Sequence, residues 1–139
     1  MDTSPSLERF VQAQEPVFDA VRQELRAGRK RTHWMWFIFP QHRALGRSET
    51  ARLYGLSSID EAREYQQHAL LGPRLKQCCE WVLEANATSA EAIFGPLDDL
   101  KLRSSMTLFA AAVPSEPAFA KVLERYYDGQ PDPLTLALL

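Results

Sequence analysis

Apolar residues recur along most of the chain at intervals of three or four positions, and helix-capping residues and prolines separate the stretches. Leu7, Phe10 and Val11 have this spacing, which is typical of the buried face of an α-helix. Ser6 is suited to cap that helix, and Gly28 is suited to end the helix that follows it. Since almost no segment alternates apolar and polar residues as a half-buried strand does, the pattern predicts an all-α fold.

Helix starts and stops can be placed in the second half of the chain as well. Thr88 has the capping-box spacing to the glutamate three residues later, and Gly95 is suited to end that helix. Asp98 is the expected N-cap of the next helix, which runs to about Val113. Further caps are predicted at Ser48, Ser58 and Asp132.

Residues 33–39 depart from the helical spacing, because they form one apolar and aromatic run that ends at Pro40. Their composition suits a strand, but a lone strand has no partner for its backbone hydrogen bonds. We therefore predict a short buried helix. In that helix His33 would lie over Trp36 and Phe37, at positions i+3 and i+4.

The length of 139 residues and the hydrophobic content of 45% are sufficient for one compact core. We expect one domain over residues 1–139, with seven to nine short helices and a disordered tail at residues 1–6. No stretch has the roughly 20 apolar residues of a membrane span, and the N-terminus is unlike a secretion signal. Cys78 and Cys79 are adjacent, which disfavours a disulfide between them. These features favour a cytoplasmic protein with one buried and one partly exposed thiol.

Basic residues are concentrated in one part of a chain whose net charge is -2. Between Arg22 and Arg52 there are eight basic and two acidic residues, so this segment carries +6 and the remainder -8. Such a segment attracts phosphate or carboxylate groups, or it is neutralised by acidic helices that pack against it. Both interpretations stay open at the level of the sequence.

Lys101 and Ser105 fall within the apolar arc of the helix predicted after Asp98. A half-buried ammonium needs a partner, and Asp98 or Glu80 is suitably placed to be one. Ser105 would then donate back to the carbonyl of residue 101. Alternatively, Lys101 and Ser105 line a pocket and bind a ligand.

The aromatic segment and the loop after it supply further candidates. An imidazole at position 33 could exchange protons near neutral pH or bind an anion, or it could be a histidine at the edge of the core. Tryptophan offers a stacking surface, although core packing is its commoner role. Arg47 beside a helix start is suited to an anion, although ordinary helix initiation explains Gly46 and Ser48. The candidate ligand-binding residues are His33, Trp36, Gln41, Arg47, Ser48, Lys101 and Ser105.

Three classes of function fit these residues. The first is a binding module for a small anionic or nucleotide-like ligand. The second is an enzyme, a hydrolase or transferase that uses Lys101, Ser105 and His33, although no catalytic motif is present. The third is a protein-interaction or nucleic-acid-associated helical scaffold, since helical arrays often present a concave face. We expect no cofactor and no metal site, because the corresponding residue spacings are missing. Nucleic acid is the less favoured partner. The oligomeric state is left open.

Four segments resemble a known family. They are LERFV at residues 7–11, RKRTHWMWFIFPQ at 29–41, LGRS at 45–48 and DDLKLRSSMTLF at 98–109. They are similar to the bacterial domain-of-unknown-function 1810 family, and the resemblance covers essentially the whole chain. It implies an all-α, superhelix-like array of helices but supplies no activity or catalytic residue. The label calpastatin that some members carry gets no support here, because the sequence lacks inhibitor-like repeats.

Overall fold

The computed structural model describes residues 6–139, which contain nine α-helices and no β-strand. His42 and Leu56 form an isolated parallel bridge within this range. None of the described helices is long and apolar enough to cross a membrane. The predicted all-α array of seven to nine helices is confirmed, whereas the expected disordered tail lies outside the described residues apart from Ser6. The helices are α1 (Glu8–Gln14), α2 (Phe18–Arg26), α3 (Met35–Ile38), α4 (Glu49–Leu53), α5 (Ile59–Gln67), α6 (Leu71–Glu84), α7 (Ala90–Ala112), α8 (Ala118–Tyr127) and α9 (Pro133–Leu136), with a 3-10 turn at Arg43–Leu45.

Side-chain caps begin four of these helices. The side chains of Ser48, Ser58 and Asp132 each accept a hydrogen bond from a backbone N–H of the first turn, at 3.0–3.1 Å, as predicted. The cap of α7 was predicted one residue too early, because Ser89 rather than Thr88 accepts the equivalent bond. The first helical residue is position 90, so the free amides of the first turn face the side chain of residue 89.

Helix α7 is interrupted near its start by Gly95. This residue has φ +84° and ψ 172°, a conformation that side-chain-bearing residues avoid, and helical geometry resumes after it. The prediction that one helix ends at Gly95 and another follows is therefore confirmed. The prediction that Asp98 is an N-cap is wrong, because Asp98 lies inside the resumed helix.

The core is centred on α7, which packs against α5, α8 and α9. Tyr65 of α5, Phe109 of α7 and Phe119 of α8 are fully buried. The ring centroid of Phe109 lies 5.4 Å from that of Tyr65 and 5.4 Å from that of Phe119. Aromatic burial of this kind is among the larger contributions to the stability of a core.

The aromatic segment at residues 33–39 contains the short helix α3, as predicted. Trp34 is fully buried, but Trp36 and Phe37 are only partly so. His33 is exposed and precedes the helix, which begins at Met35. The predicted helical stacking of His33 over Trp36 and Phe37 is therefore wrong.

Cys78 and Cys79 are both free thiols, and both are buried in α6. The Sγ atom of Cys79 lies 3.7 Å from the Sδ atom of Met106 in α7. The prediction that one of the two thiols is partly exposed is wrong. Two adjacent helical residues can both be buried here because α6 has neighbours on several sides, namely α2, α5 and α8.

Candidate functional site

An open cleft of about 800 Å³ lies between α7, the segment from α3 to α4, and α9. It combines leucine side chains with several cationic groups. Most of these residues are far apart in the sequence, so the cleft exists only because the helices pack as they do. The lining residues are Trp36, Gln41, Leu45, Arg47, Ser48, Ala51, Leu97, Leu100, Lys101, Arg103, Ser104, Asp132 and Leu134.

One wall is a face of α7 formed by Leu97, Leu100, Lys101 and Ser104. Their spacing is i, i+3, i+4 and i+7, which places them on one side of a helix. Leu97 is 72% exposed and Leu100 is 58% exposed, whereas Leu102 on the core side is fully buried. The wall is therefore an apolar surface with one ammonium group on it.

The opposite wall is the chain that runs from α3 to α4. The carbonyl of Gln41 accepts a hydrogen bond from the amide of Leu56 at 2.9 Å, and the amide of Arg43 donates to the carbonyl of Leu56 at 2.8 Å. This close approach needs Gly55, because a Cβ atom there would lie 2.5 Å from the Cα atom of Arg43. The two backbone bonds hold residues 41–48 in place beside the cleft.

The third wall is the C-terminal segment, which polar contacts hold against α7. Arg103 donates to the carbonyls of residues 130–131 at 3.0 and 2.9 Å. The hydroxyl of Thr107 accepts a hydrogen bond from the amide of Asp132 at 2.8 Å. These bonds position the short helix α9, which places Leu134 at the cleft with 68% of its surface exposed.

Lys101 shares the carboxylate of Asp98 with Lys30. The Nζ atom of Lys101 lies 3.3 Å from one oxygen of Asp98, and that of Lys30 lies 2.9 Å from the other. The ammonium groups also lie over indole rings, 5.5 Å from the centroid of Trp36 for Lys101 and 5.1 Å from that of Trp34 for Lys30. The pairing predicted between Lys101 and Asp98 is thus present. Since two ammonium groups share one carboxylate, the group of Lys30, Lys101 and Asp98 carries a net charge of +1.

Arg47 adds a second cation to the same cleft. Its side chain is exposed, and within residues 6–139 it forms neither a hydrogen bond nor an ion pair. Ser48 beside it uses its hydroxyl oxygen to cap α4. The guanidinium of Arg47 is therefore available to an incoming group.

The sequence-based candidates divide into two sets. Trp36, Gln41, Arg47, Ser48 and Lys101 come from two distant segments, and the structure brings all of them to the cleft. His33 and Ser105 do not line it.

Ser105 was predicted to donate to the carbonyl of residue 101, and this bond is not formed. Ser105 is fully buried, and its hydroxyl has no hydrogen-bond partner in the described part of the chain. Its neighbour Ser104 takes the predicted role, because the Ser104 hydroxyl lies 3.2 Å from both the carbonyl of Leu100 and a carboxylate oxygen of Asp132. Ser105 thus lies in the apolar arc as predicted, but the serine that lines the cleft is Ser104.

Sequence reasoning missed the apolar lining of the cleft. Leu97, Leu100 and Leu134 were not recognised, nor were Arg103 and Asp132. A usable signal existed for Leu97 and Leu100, because both lie outside the apolar arc of α7 and so face away from its core. No comparable signal exists for Leu134, whose position depends on how the C-terminal segment returns to α7.

The loop before α3 is held by the buried carboxylate of Glu24. Its oxygens accept hydrogen bonds from the amides of Arg31 and Thr32, the hydroxyl of Thr32 and the indole N–H of Trp34, at 2.6–3.1 Å. Burial raises the pKa of Glu24, but these bonds outweigh burial and hold that pKa below its ordinary value. Glu24 therefore fixes the start of the segment that carries Trp36.

The described residues contain no group of three His, Cys, Asp or Glu side chains placed to hold a metal ion. The carboxylate at the cleft, Asp132, already accepts bonds from the amide and hydroxyl of Thr135 and lies beside the Ser104 hydroxyl. The cleft thus presents cationic groups beside apolar surface.

Comparison with known proteins identifies a family but no activity. The model of a family described as "protein of unknown function (DUF1810)" matches residues 4–139. The crystal structure of the conserved hypothetical protein Rv1873 from Mycobacterium tuberculosis is 57% identical and has a TM-score of 0.94, and the match covers 96% of this chain and 95% of that chain. No curated protein matches the sequence. The chain belongs to the DUF1810 family of proteins of unknown function.

Proposed function

We propose that the protein binds a small anionic ligand in the cleft between α7, the α3–α4 segment and α9. The observation that carries this proposal is the meeting of Lys101 and Arg47 at one open cleft. The first is a shared, one-third-exposed ammonium, and the second is a guanidinium without a partner in the described chain.

The dimensions and the charge of the cleft support the same function. A volume of about 800 Å³ lies within the range of about 300–1,000 Å³ that small-molecule sites occupy. Lys101, Arg47 and Arg103 line the cleft against one carboxylate, that of Asp132. The excess positive charge favours an anion, and the surrounding leucines weaken the competition from water.

The geometry supports binding more than catalysis. The enzyme alternative used Lys101, Ser105 and His33, but Ser105 is enclosed in the core and His33 is exposed outside the cleft. A nucleophile and its base must lie within hydrogen-bond reach of each other and of the substrate. The scaffold alternative stays a prediction, and it would use the same exposed leucines.

Thermal unfolding with added anions tests the proposal. The panel comprises inorganic phosphate, nucleoside monophosphates and organic carboxylates, each with its uncharged analogue. A bound anion should raise the melting temperature, since a ligand at about 100 times its Kd stabilises the folded state by about 2.7 kcal/mol. Uncharged analogues should have a smaller effect.

Matched variants assign the effect to the cleft. Lys101→Gln and Arg47→Gln should each reduce the response to the anion, whereas Lys121→Gln, on the exposed face of α8, should respond like the original protein. The melting temperature without ligand checks that each variant is folded. A panel in which no anion shifts the transition, or in which all variants respond alike, would contradict the proposal.

A further inference from the structure

Three leucines that line the cleft are largely exposed, namely Leu97, Leu100 and Leu134. Single exposed leucines are common on protein surfaces, but a group that faces one concave site marks a surface for binding. Leu97 and Leu100 lie one turn apart on α7, and Leu134 faces the same space from α9. Together they offer a track for the apolar part of a ligand.

The aromatic content of the cleft argues against a stacked base. Of the described residues that line it, only Trp36 is aromatic, and the ammonium of Lys101 lies 5.5 Å from the centroid of its ring. A nucleobase is held by stacking on flat aromatic faces, which leucine side chains cannot replace. Branched aliphatic walls are better matched to an aliphatic chain.

The charges of the cleft fit a small anionic group better than a polyphosphate. Lys101 shares Asp98 with Lys30, so the two lysines supply one net positive charge. Arg103 is bound to the carbonyls of residues 130–131. Of the three cations that line the cleft, Arg47 is the one without a partner among the described residues. A polyphosphate needs several free cations or a metal ion, whereas one carboxylate or phosphate monoester needs one or two.

We infer that the ligand is an amphiphile with one terminal anionic group on an aliphatic chain. The anionic group lies near Lys101 and Arg47, and the chain follows the leucine track. The inference rests on the proposed function and names the ligand class of that same site. The anionic group is a carboxylate or a phosphate monoester, and the two are distinguished by measurement.

Calorimetric titration with unbranched alkyl phosphates and alkyl carboxylates of four to ten carbons, below their micelle concentrations, tests the inference. Affinity should rise by about fourfold for each methylene group that becomes buried. An alcohol of the same chain length should bind at least about tenfold more weakly. At equal chain length, the series with the higher affinity, phosphate or carboxylate, identifies the anionic group.

Two leucine variants locate the chain. Leu134→Ser should lower the affinity for the longest ligands by about tenfold or more and leave the shortest almost unchanged. Leu139→Ser changes an exposed leucine that does not line the cleft and should have no effect. Because both leucines are exposed, neither substitution disturbs the core.

The failure of the inference can be told from the failure of the proposed function. The inference is overturned if affinity is independent of chain length and inorganic phosphate or adenosine monophosphate binds as tightly as decyl phosphate. The proposed anion-binding function would stand in that case. Absence of binding in every arm overturns both. Equal loss of affinity in Leu134→Ser and Leu139→Ser also overturns the inference.

Discussion

Glu24 accepts four hydrogen bonds from residues 31–34, so its replacement tests how the loop before α3 is held. In Glu24→Gln one acceptor oxygen becomes an NH₂ group that faces donors. We expect the free energy of unfolding to fall by about 2–4 kcal/mol, because buried donors lose their partners. Urea denaturation measures the change. Glu84→Gln, an exposed site in α6, should change the stability by less than about 0.5 kcal/mol.

The same residue predicts a pH dependence. The pKa of Glu24 is lower in the folded state than in the unfolded state, where it is about 4.3. Its contribution to stability is therefore present above that pH and is lost as the pH falls through the folded-state value. The stability difference between the original protein and Glu24→Gln should shrink between pH 7 and about pH 3. A difference that stays constant would contradict this assignment.

Cys78 and Cys79 are predicted to be chemically silent in the folded protein. Burial raises the pKa of both thiols, so little thiolate forms and the sulfur atoms are inaccessible. A thiol reagent such as dithionitrobenzoate at about pH 8 should react with neither thiol until denaturant is added. Immediate release of one equivalent from the native protein would show that one of the two is exposed.

For single residues, the sequence identifies which side chains are polar but not which neighbouring residue buries them or bonds to them. The helical arc of α7 correctly predicted that Lys101 is half-buried, and of the two partners considered for it, Asp98 and Glu80, it contacts Asp98. It placed Ser105 inside the arc, where Ser105 is fully buried, but it could not predict that Ser104 is the serine with hydrogen-bond partners, because one of these is Asp132 from the C-terminal segment. Likewise, His33 was assigned to α3 although the helix begins two residues later.

Among the helices, α7 offers a test of its interruption. A Cβ atom at Gly95 would have no neighbour within 4 Å, so Gly95→Ala introduces no collision. Its φ of +84° still makes alanine unfavourable, and we expect a loss of about 1–3 kcal/mol in the free energy of unfolding. An increase in stability, as is usual for glycine-to-alanine changes in a regular helix, would contradict the interruption.

Gly72 in α6 provides the matched comparison. A Cβ atom there would lie 2.0 Å from the carbonyl oxygen of Gln66 in α5. Gly72→Ala should therefore destabilise the protein through a backbone collision, by about 3 kcal/mol or more. The two variants carry the same substitution, so Gly72→Ala should be the more severe of the two in the same urea titration.

Helix boundaries are the features that the sequence predicts best, because caps act over three or four residues. Ser48, Ser58 and Asp132 cap the helices expected of them. The cap of α1 is Leu7 and not the predicted Ser6. The errors at Thr88 and Asp98 have local causes as well. Two hydroxyl residues compete at positions 88 and 89, and the carboxylate of Asp98 binds two lysines instead of capping a helix.

At the scale of the whole molecule, the return of the C-terminal segment to α7 completes the cleft. Helix α9 has four residues and is too short to be stable alone. Thr107→Val keeps the shape of the side chain but removes the acceptor for the amide of Asp132. We expect faster hydrogen exchange at residues 128–136, with little change in the core and a stability loss of about 1 kcal/mol.

Hydrogen exchange followed by mass spectrometry measures this effect segment by segment. Thr88→Val, in the exposed loop before α7, is the matched control and should leave the C-terminal segment unchanged. If residues 128–136 exchange equally fast in the original protein and in Thr107→Val, the bond from Thr107 does not hold the segment.

The composition of the cleft shows where prediction from sequence ends. Trp36, Gln41, Arg47, Ser48 and Lys101 were selected by residue type, and they meet because residues 36–51 and α7 form facing walls. The position of Leu134 depends on the packing of α9, a long-range event that no local pattern encodes, whereas Leu97 and Leu100 could have been found from their place outside the apolar arc of α7. Part of the site was therefore predictable from residue type, whereas the places of Arg103, Asp132 and Leu134 at the cleft required the fold.

The interruption at Gly95 has one more consequence, for how this chain can change in evolution. In an unbroken helix, an inserted residue rotates everything beyond it by about 100°. Because Gly95 separates the helical phase of residues 90–94 from that of the residues after it, a change of length before Gly95 does not by itself turn Leu97, Leu100 and Lys101 away from the cleft. Since Ile93 and Phe94 are buried, length variation among relatives should occur in the loop before Ala90 and be excluded between Pro96 and Ser104.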